Sequence, residues 1–228
     1  MALYLNGKQL LNSLVIDGDT SGSAFTPVFT ETLLVDNSTG ASSFTLSEDY
    51  HNYDFVKVSL LNYNASPNRT TVIITTPTVI DKCFNLGNLI NFNERGNNEY
   101  ACYRKSGLTW TRNNNRDCVV NYIWGMECTN ATVSETAIYT ASSVSGSNRV
   151  ITYNDGDLFD FDLIFFAANS NSSDEVQPCY FYFSPGIDIQ NRLPYVLNQY
   201  NANHTVEISP HSISSAPYAC AVGINFES

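Results

Sequence analysis

Apolar residues crowd both faces of the stretch Tyr53–Asn64, YDFVKVSLLNYN, and a similar stretch recurs at Phe159–Ser170, FDFDLIFFAANS. Each opens aromatic-Asp-Phe, runs about eight residues with few breaks and ends in Asn with Ser nearby, the pattern of a central strand covered on two sides. In the first stretch Val56, Val58 and Leu60 share a face, while Phe55 and Leu61 point the other way. In the second, Ile164 and Phe166 answer Val58 and Leu60, although Asp162 stands in place of Val56.

The neighbouring segments match in the same order. Glu31-Thr32-Leu33-Leu34-Val35 corresponds to Glu135-Thr136-Ala137-Ile138-Tyr139, and the Ser/Gly-rich turn Asn37–Ser43 to Ser142–Asn148. A short strand (FTL or VIT) and an acidic bend (Glu48-Asp49 or Asp155-Gly156-Asp157) follow, then the long strand and a loop. Thr71–Thr76 and Cys179–Phe183 read as returning strands. The halves close on Asn121–Met126 and Cys220–Phe226. An offset held near about a hundred residues across several elements is what a tandem duplication leaves behind. No amphipathic helical stretch of useful length stands out, and Ser184–Tyr200 reads as a long loop. Short strands between Asn/Gly/Ser/Pro turns predict an all-β chain of two tandem antiparallel β-sandwich modules, jelly-roll-like, over 28–132 and 133–228.

Ahead of them, Leu3–Leu5 and Gln9–Leu11 flank Asn6-Gly7, a strong hairpin signal. A hairpin this small cannot stand alone and is expected to dock on a partner or fold back on its own body. The small polar stretch Asp17–Thr26 reads as a flexible linker, so residues 1–27 form an N-terminal arm.

The net charge of −11 argues against binding a phosphate backbone, and Arg104, Lys105, Arg112 and Arg116 make up the one basic patch. No run approaches the ~18 apolar residues of a membrane span. The N-terminus lacks the basic head of a secretory signal, which predicts a chain kept in a cytoplasm until assembly or lysis. Six cysteines make no CxxC pair and no His stands at ligand spacing, so zinc is not indicated. Buried thiols are one reading; disulfides formed after release are the other, with Cys179–Cys220 the first pair to test. Six Asn-x-Ser/Thr triplets are close to chance in a chain so rich in these residues.

Three candidate chemistries remain. Asp155, Asp157 and Asp160, with Asp162, form an oxygen-rich turn of the kind that holds Ca²⁺, or serve as turn and strand-edge carboxylates; Asp54 occupies the place of Asp160 in the first copy. Glycan hydrolysis needs paired carboxylates, for which Glu94, Glu99 and Asp188 are available. There is no GxSxG or HExxH, and His51, His204 and His211 are scattered singly. Recognition is better supplied: Tyr100, Tyr103, Trp110 and Tyr122 lie around the Asn-rich insert Asn91–Asn115 with Arg104, Arg112 and Arg116 interleaved, a composition suited to a contact surface. Against this, Trp110 and Trp124 also read as core residues.

The opening Leu3-Tyr4-Leu5-Asn6-Gly7-Lys8 resembles the start of many short virion proteins of tailed bacteriophages. The series Glu31-Thr32-Leu33-Leu34, Tyr53-Asp54-Phe55 and Ile123-Trp124-Gly125-Met126 is similar to β-sandwich modules of phage tail fibres, baseplate appendages and head fibres. The six cysteines and the Asn-rich insert depart from that pattern. The resemblance implies a non-enzymatic fibre or appendage subunit, a homotrimer. It would be held to other virion proteins by Leu3, Tyr4, Leu5, Leu10, Leu11 and Leu14 and present its modules to a host glycan or protein. A capsid or tail decoration protein is the alternative and a surface-glycan hydrolase the third.

Overall fold

The chain folds predominantly into β-strands. The computed structural model describes residues 4–5, 8–9, 27–63, 68–87, 89–93, 100–113, 117–143, 147, 149–169, 175–179, 195–199, 202–206, 208–216 and 218–227. The first half contains β1 (Tyr4–Leu5), β2 (Lys8–Gln9), β3 (Phe29–Asp36), β4 (Ser43–Thr45), β5 (Phe55–Asn62), β6 (Arg69–Thr75), helix α1 (Pro77–Gly87), β7 (Leu89–Asn93), β8 (Tyr100–Ser106), β9 (Thr109–Arg112) and β10 (Cys118–Cys128). The second contains β11 (Thr132–Thr140), β12 (Arg149–Thr152), β13 (Leu163–Asn169), β14 (Glu175–Cys179), β15 (Tyr195–Gln199), β16 (Ala202–Val206), β17 (Ile208–Ser209), β18 (Ser212–Ala216) and β19 (Tyr218–Glu227). Single 3-10 turns at Tyr50–Asn52 and Leu158–Asp160 precede β5 and β13.

Strand order repeats between the halves. One sheet runs β3-β10-β5-β6; in the second half the order β11-β19-β13-β14 has the same sequence of roles. Local details repeat with it. Asp49 and Asp157 cap the 3-10 turns, accepting from the backbone of His51 (3.0 Å) and Phe159 (2.8 Å). Asp54 Oδ2 accepts from Cys128 N at 2.7 Å and Asp162 Oδ2 from Phe226 N at 2.8 Å. Leu34 and Ile138 each bulge from their edge strand at the same point, where the register skips one residue. These bonds correct the alignment read from the sequence. Asp54 corresponds to Asp162, not Asp160, so Val56 and Val58 answer to Ile164 and Phe166. The Asp-Phe repeat in FDFD misled the reading by two residues, which leaves the strand face unchanged.

The two halves are joined edge to edge. β14 pairs in parallel with β7 (Glu175 opposite Leu89, Val176 opposite Ile90), giving one eight-stranded sheet, β11-β19-β13-β14-β7-β8-β9-β4. Strand β13 is therefore buried on both faces. Leu163, Phe165 and Ala167 enter a core shared with Val56, Val58, Leu60 and α1, while Ile164, Phe166 and Ala168 enter a second core with Ile151 and Ile213.

Three expectations are corrected. A helix does form: Pro77 sits at its first position, the Thr76 hydroxyl accepts from Val79 N (3.3 Å), and Val79, Ile80, Cys83, Phe84 and Gly87 make its buried stripe. The Asn-rich segment 91–115 is not an appended insert, because β8 and β9 form a hairpin within the long sheet, turning at Gly107 (φ 58°). The stretch Ser184–Tyr200 includes strand β15, paired with β16. Cys83, Cys102, Cys118, Cys128 and Cys220 are buried thiols. Cys220 is among them, so the Cys179–Cys220 bridge is not formed. Burial pushes the Cys220 thiol up to about 12.

Gly125 and Gly223 show why those positions stay bare. A Cβ on Gly125 would lie 2.3 Å from the Tyr53 ring, and one on Gly223 2.4 Å from the Phe161 ring. Phe161 is enclosed and Tyr53 only half-buried. Gly223→Ala should therefore cost toward the upper end of about 1–3 kcal/mol and Gly125→Ala toward the lower end, read from urea unfolding midpoints. Equal or negligible losses would contradict the packing.

Candidate functional site

The 3-10 turn at Tyr50–Asn52 brings together more interacting polar side chains than any other place among the described residues. Asp49 holds the turn by capping it, which fixes Tyr50 inward and His51 outward. The His51 ring then stands between two carboxylates: Nδ1 is 2.5 Å from Asp49 Oδ1 and Nε2 is 2.8 Å from Asp81 Oδ2. Asp81 projects from α1, whose opposite stripe is anchored in the core. Its Oδ1 also accepts from the Tyr50 hydroxyl (2.5 Å) and from Lys105 Nζ (3.0 Å), reaching in from β8. Lys105 donates to the Tyr50 hydroxyl as well, and lies 4.8 Å from the centre of its ring.

Electrostatics follow from this geometry. Burial opposes the charge on His51, yet the hydrogen bonds to Asp81 and Asp49 outweigh it, and its pKa rises above the ordinary 6.5. Burial likewise opposes the Asp81 charge, but bonds from Tyr50, His51 and Lys105 prevail and hold it below 3.8. Burial, then the bond to Asp81, pushes the Tyr50 hydroxyl up. Both ring nitrogens of His51 face carboxylates, which favours the imidazolium form. The arrangement is a charged clip tying α1 to the 3-10 turn and β8. Sequence showed only half of it: the Asp-x-His cap is local, but Asp81 arrives on a helix the pattern reading missed.

The residues singled out from sequence fall elsewhere. Tyr4 and Leu5 lie on β1, which pairs with β2 across Asn6-Gly7 as a hairpin. Leu3, Leu10, Leu11 and Leu14 lie outside the described residues, as do Arg116, Glu94, Glu99 and Asp188. Tyr100, Tyr103 and Trp110 are buried and do not form a contact surface; Tyr103 and Trp110 face the shared core, while Tyr100, three residues before Tyr103, lies on the other face of the sheet. Trp110 is packed by Phe44, Tyr50, Phe84, Phe92 and Tyr103. Among the described members of that group only Arg104 is exposed, with Arg112 half-buried. Asp155 and Asp160 are exposed and Asp157 is spent on its cap. No group of three His, Cys, Asp or Glu placed to hold a metal ion occurs among the described residues. His211 meets the Gly156 carbonyl at 3.0 Å in an exposed turn.

The clip has a defined pH window. The His51 contribution is complete below about pH 6.5 and fades as pH rises through its raised folded value. Those of Asp49 and Asp81 are complete above about pH 3.8 and fade as pH falls through their lowered values. His51→Ala should thus cost about 1 kcal/mol near pH 5.5, these groups being partly exposed, and clearly less at pH 9. Unfolding midpoints at the two pH values test this, and a loss independent of pH would remove the charge from the account.

Family models, curated proteins and solved structures were all compared with this chain, and none matches it.

Proposed function

We propose that this chain is a structural subunit of a tailed-bacteriophage particle, a fibre or appendage that works by contact and is not an enzyme. In this reading the two β-sandwich-like halves, jelly-roll-like in kind and sharing one core, follow an N-terminal docking arm. The observation that carries it is the repeated strand order β3-β10-β5-β6 and β11-β19-β13-β14. Repetition of one strand order around a shared core multiplies sheet edges and faces, the surfaces through which a contact protein works. The hairpin of β1 and β2, set before the polar stretch Asp17–Thr26, supports an arm that docks on another virion protein. The sequence resemblance to fibre modules points the same way. The chain would be assembled in the host cytoplasm, as a homotrimer, and displayed on the virion toward a host glycan or protein.

Removal of residues 1–27 tests this. The full chain should co-sediment with particles that lack their own copy, and the shortened chain should stay behind with its strand circular dichroism and melting transition intact. A shortened chain that binds particles equally well would replace the fibre reading with a cementing one, in which the modules themselves grip the shell. A full chain that binds no particle would end both.

A further inference from the structure

The joint between the halves has a counterpart on each side that nothing fills among the described residues. β14 is the outer strand of the order β11-β19-β13-β14, and its outer edge takes β7 in parallel. Its equivalent in the first half is β6, the outer strand of β3-β10-β5-β6, whose outer edge carries no strand. β7 opens the hairpin β7–β8; its equivalent in the second half is β15, which opens the hairpin β15–β16 and likewise carries no outer strand. Each half therefore shows the surface that the other half has already used.

The β6 edge is built to pair. It runs seven residues against β5 with no register shift, reads Arg-Thr-Thr-Val-Ile-Ile-Thr, and holds neither Pro nor any charge beyond Arg69. Open edges are ordinarily blunted by bulges, Pro or inward charge. The edge strands β3 and β11 carry such bulges, at Leu34 and Ile138. β6 has no such guard.

A second observation concerns the sheet face beside that edge. In the second half the face bearing Leu163, Phe165 and Ala167 is covered by α1 and Phe55 of the first half. The same face in the first half leaves Leu33 exposed and Leu61, Val72, Ile74, Tyr122 and Trp124 only partly buried. Lys57 and Ser59 stand there in place of Phe165 and Ala167; Lys57 is neutralised by Glu31 and lies 4.3 Å from the centre of the Trp124 ring.

We propose that β6 of one chain adds in parallel to β15 of a second copy, repeating between chains the β14–β7 joint found within each. The occupant is a second copy because the chain itself carries both members of the pair. The contact joins unlike surfaces, so it closes into a ring where the rotation permits and otherwise extends. It does not depend on the virion reading.

Sedimentation of the full chain with Thr70→Lys/Val72→Lys tests the contact, since both positions lie on the solvent side of β6 and long Lys side chains there leave the core untouched. The unmodified chain should be a multimer and the double variant a folded monomer, while Thr30→Lys on the bulged edge of β3 changes nothing. Hydrogen exchange on the unmodified chain needs no variant: amides of Thr70–Ile74 and Tyr195–Gln199 should slow together as concentration rises. A monomer at the highest soluble concentration would overturn the proposal. So would a multimer indifferent to the two lysines, or concentration-independent exchange at either strand.

Discussion

The fold depends on a hydrophobic core that belongs to neither half alone. Phe55 lies 5.9 Å from Phe165 and 6.1 Å from Phe226, and Phe29 lies 6.2 Å from Phe226, ring centre to ring centre. Helix α1, encoded by the first half, covers the face of β13 and β19 encoded by the second. An enclosed Phe contributes roughly 1.5–3 kcal/mol by leaving water, and Phe165 could not do so on a sheet with an open face. Strand β13, apolar on both sides, makes sense only with a layer on each.

This arrangement also accounts for the burial of the aromatic candidates. Tyr103, which looked suited to recognition, packs on Trp110, whose buried Nε1 meets no hydrogen-bond partner among the described residues. Leaving such a donor unmet costs about 1–3 kcal/mol, offset here by contact with five rings. The Asp81 clip stands at the rim of that cluster, since Tyr50 and Phe84 pack on Trp110 from beneath it. Charge outside and aromatic packing inside hold the same helix.

Much of the frame was legible in the sequence. The run from Tyr53 to Asn64, its echo after Phe159 and the paired endings with Gly125 and Gly223 gave the strand class and the order of elements. Asn6-Gly7 gave the hairpin. Period alone could not give the register: FDFD offers two Phe-Asp steps, and the bond from Phe226 N to Asp162 selects the second. Helix α1 was missed although Thr76-Pro77 marks its start, because the β-branched run Thr71–Thr76 before it drew the reading toward strand. Tyr103 and Trp110 were ambiguous for a physical reason, since an aromatic among Asn and Arg has the same local signature in a core hairpin as at a contact surface. The candidate site needed long-range pairing of turn and helix, which one sequence does not show.

The shared core can be tested by cutting the chain between the halves. A protease site placed at the exposed Thr129-Asn130 turn separates β10 from β11 without touching either core. After cleavage the two fragments should elute together and melt in a single cooperative transition close to that of the intact chain. Fragments that part on a sizing column, or two transitions with either half keeping its own midpoint, would show that each half is sufficient to itself and contradict the account.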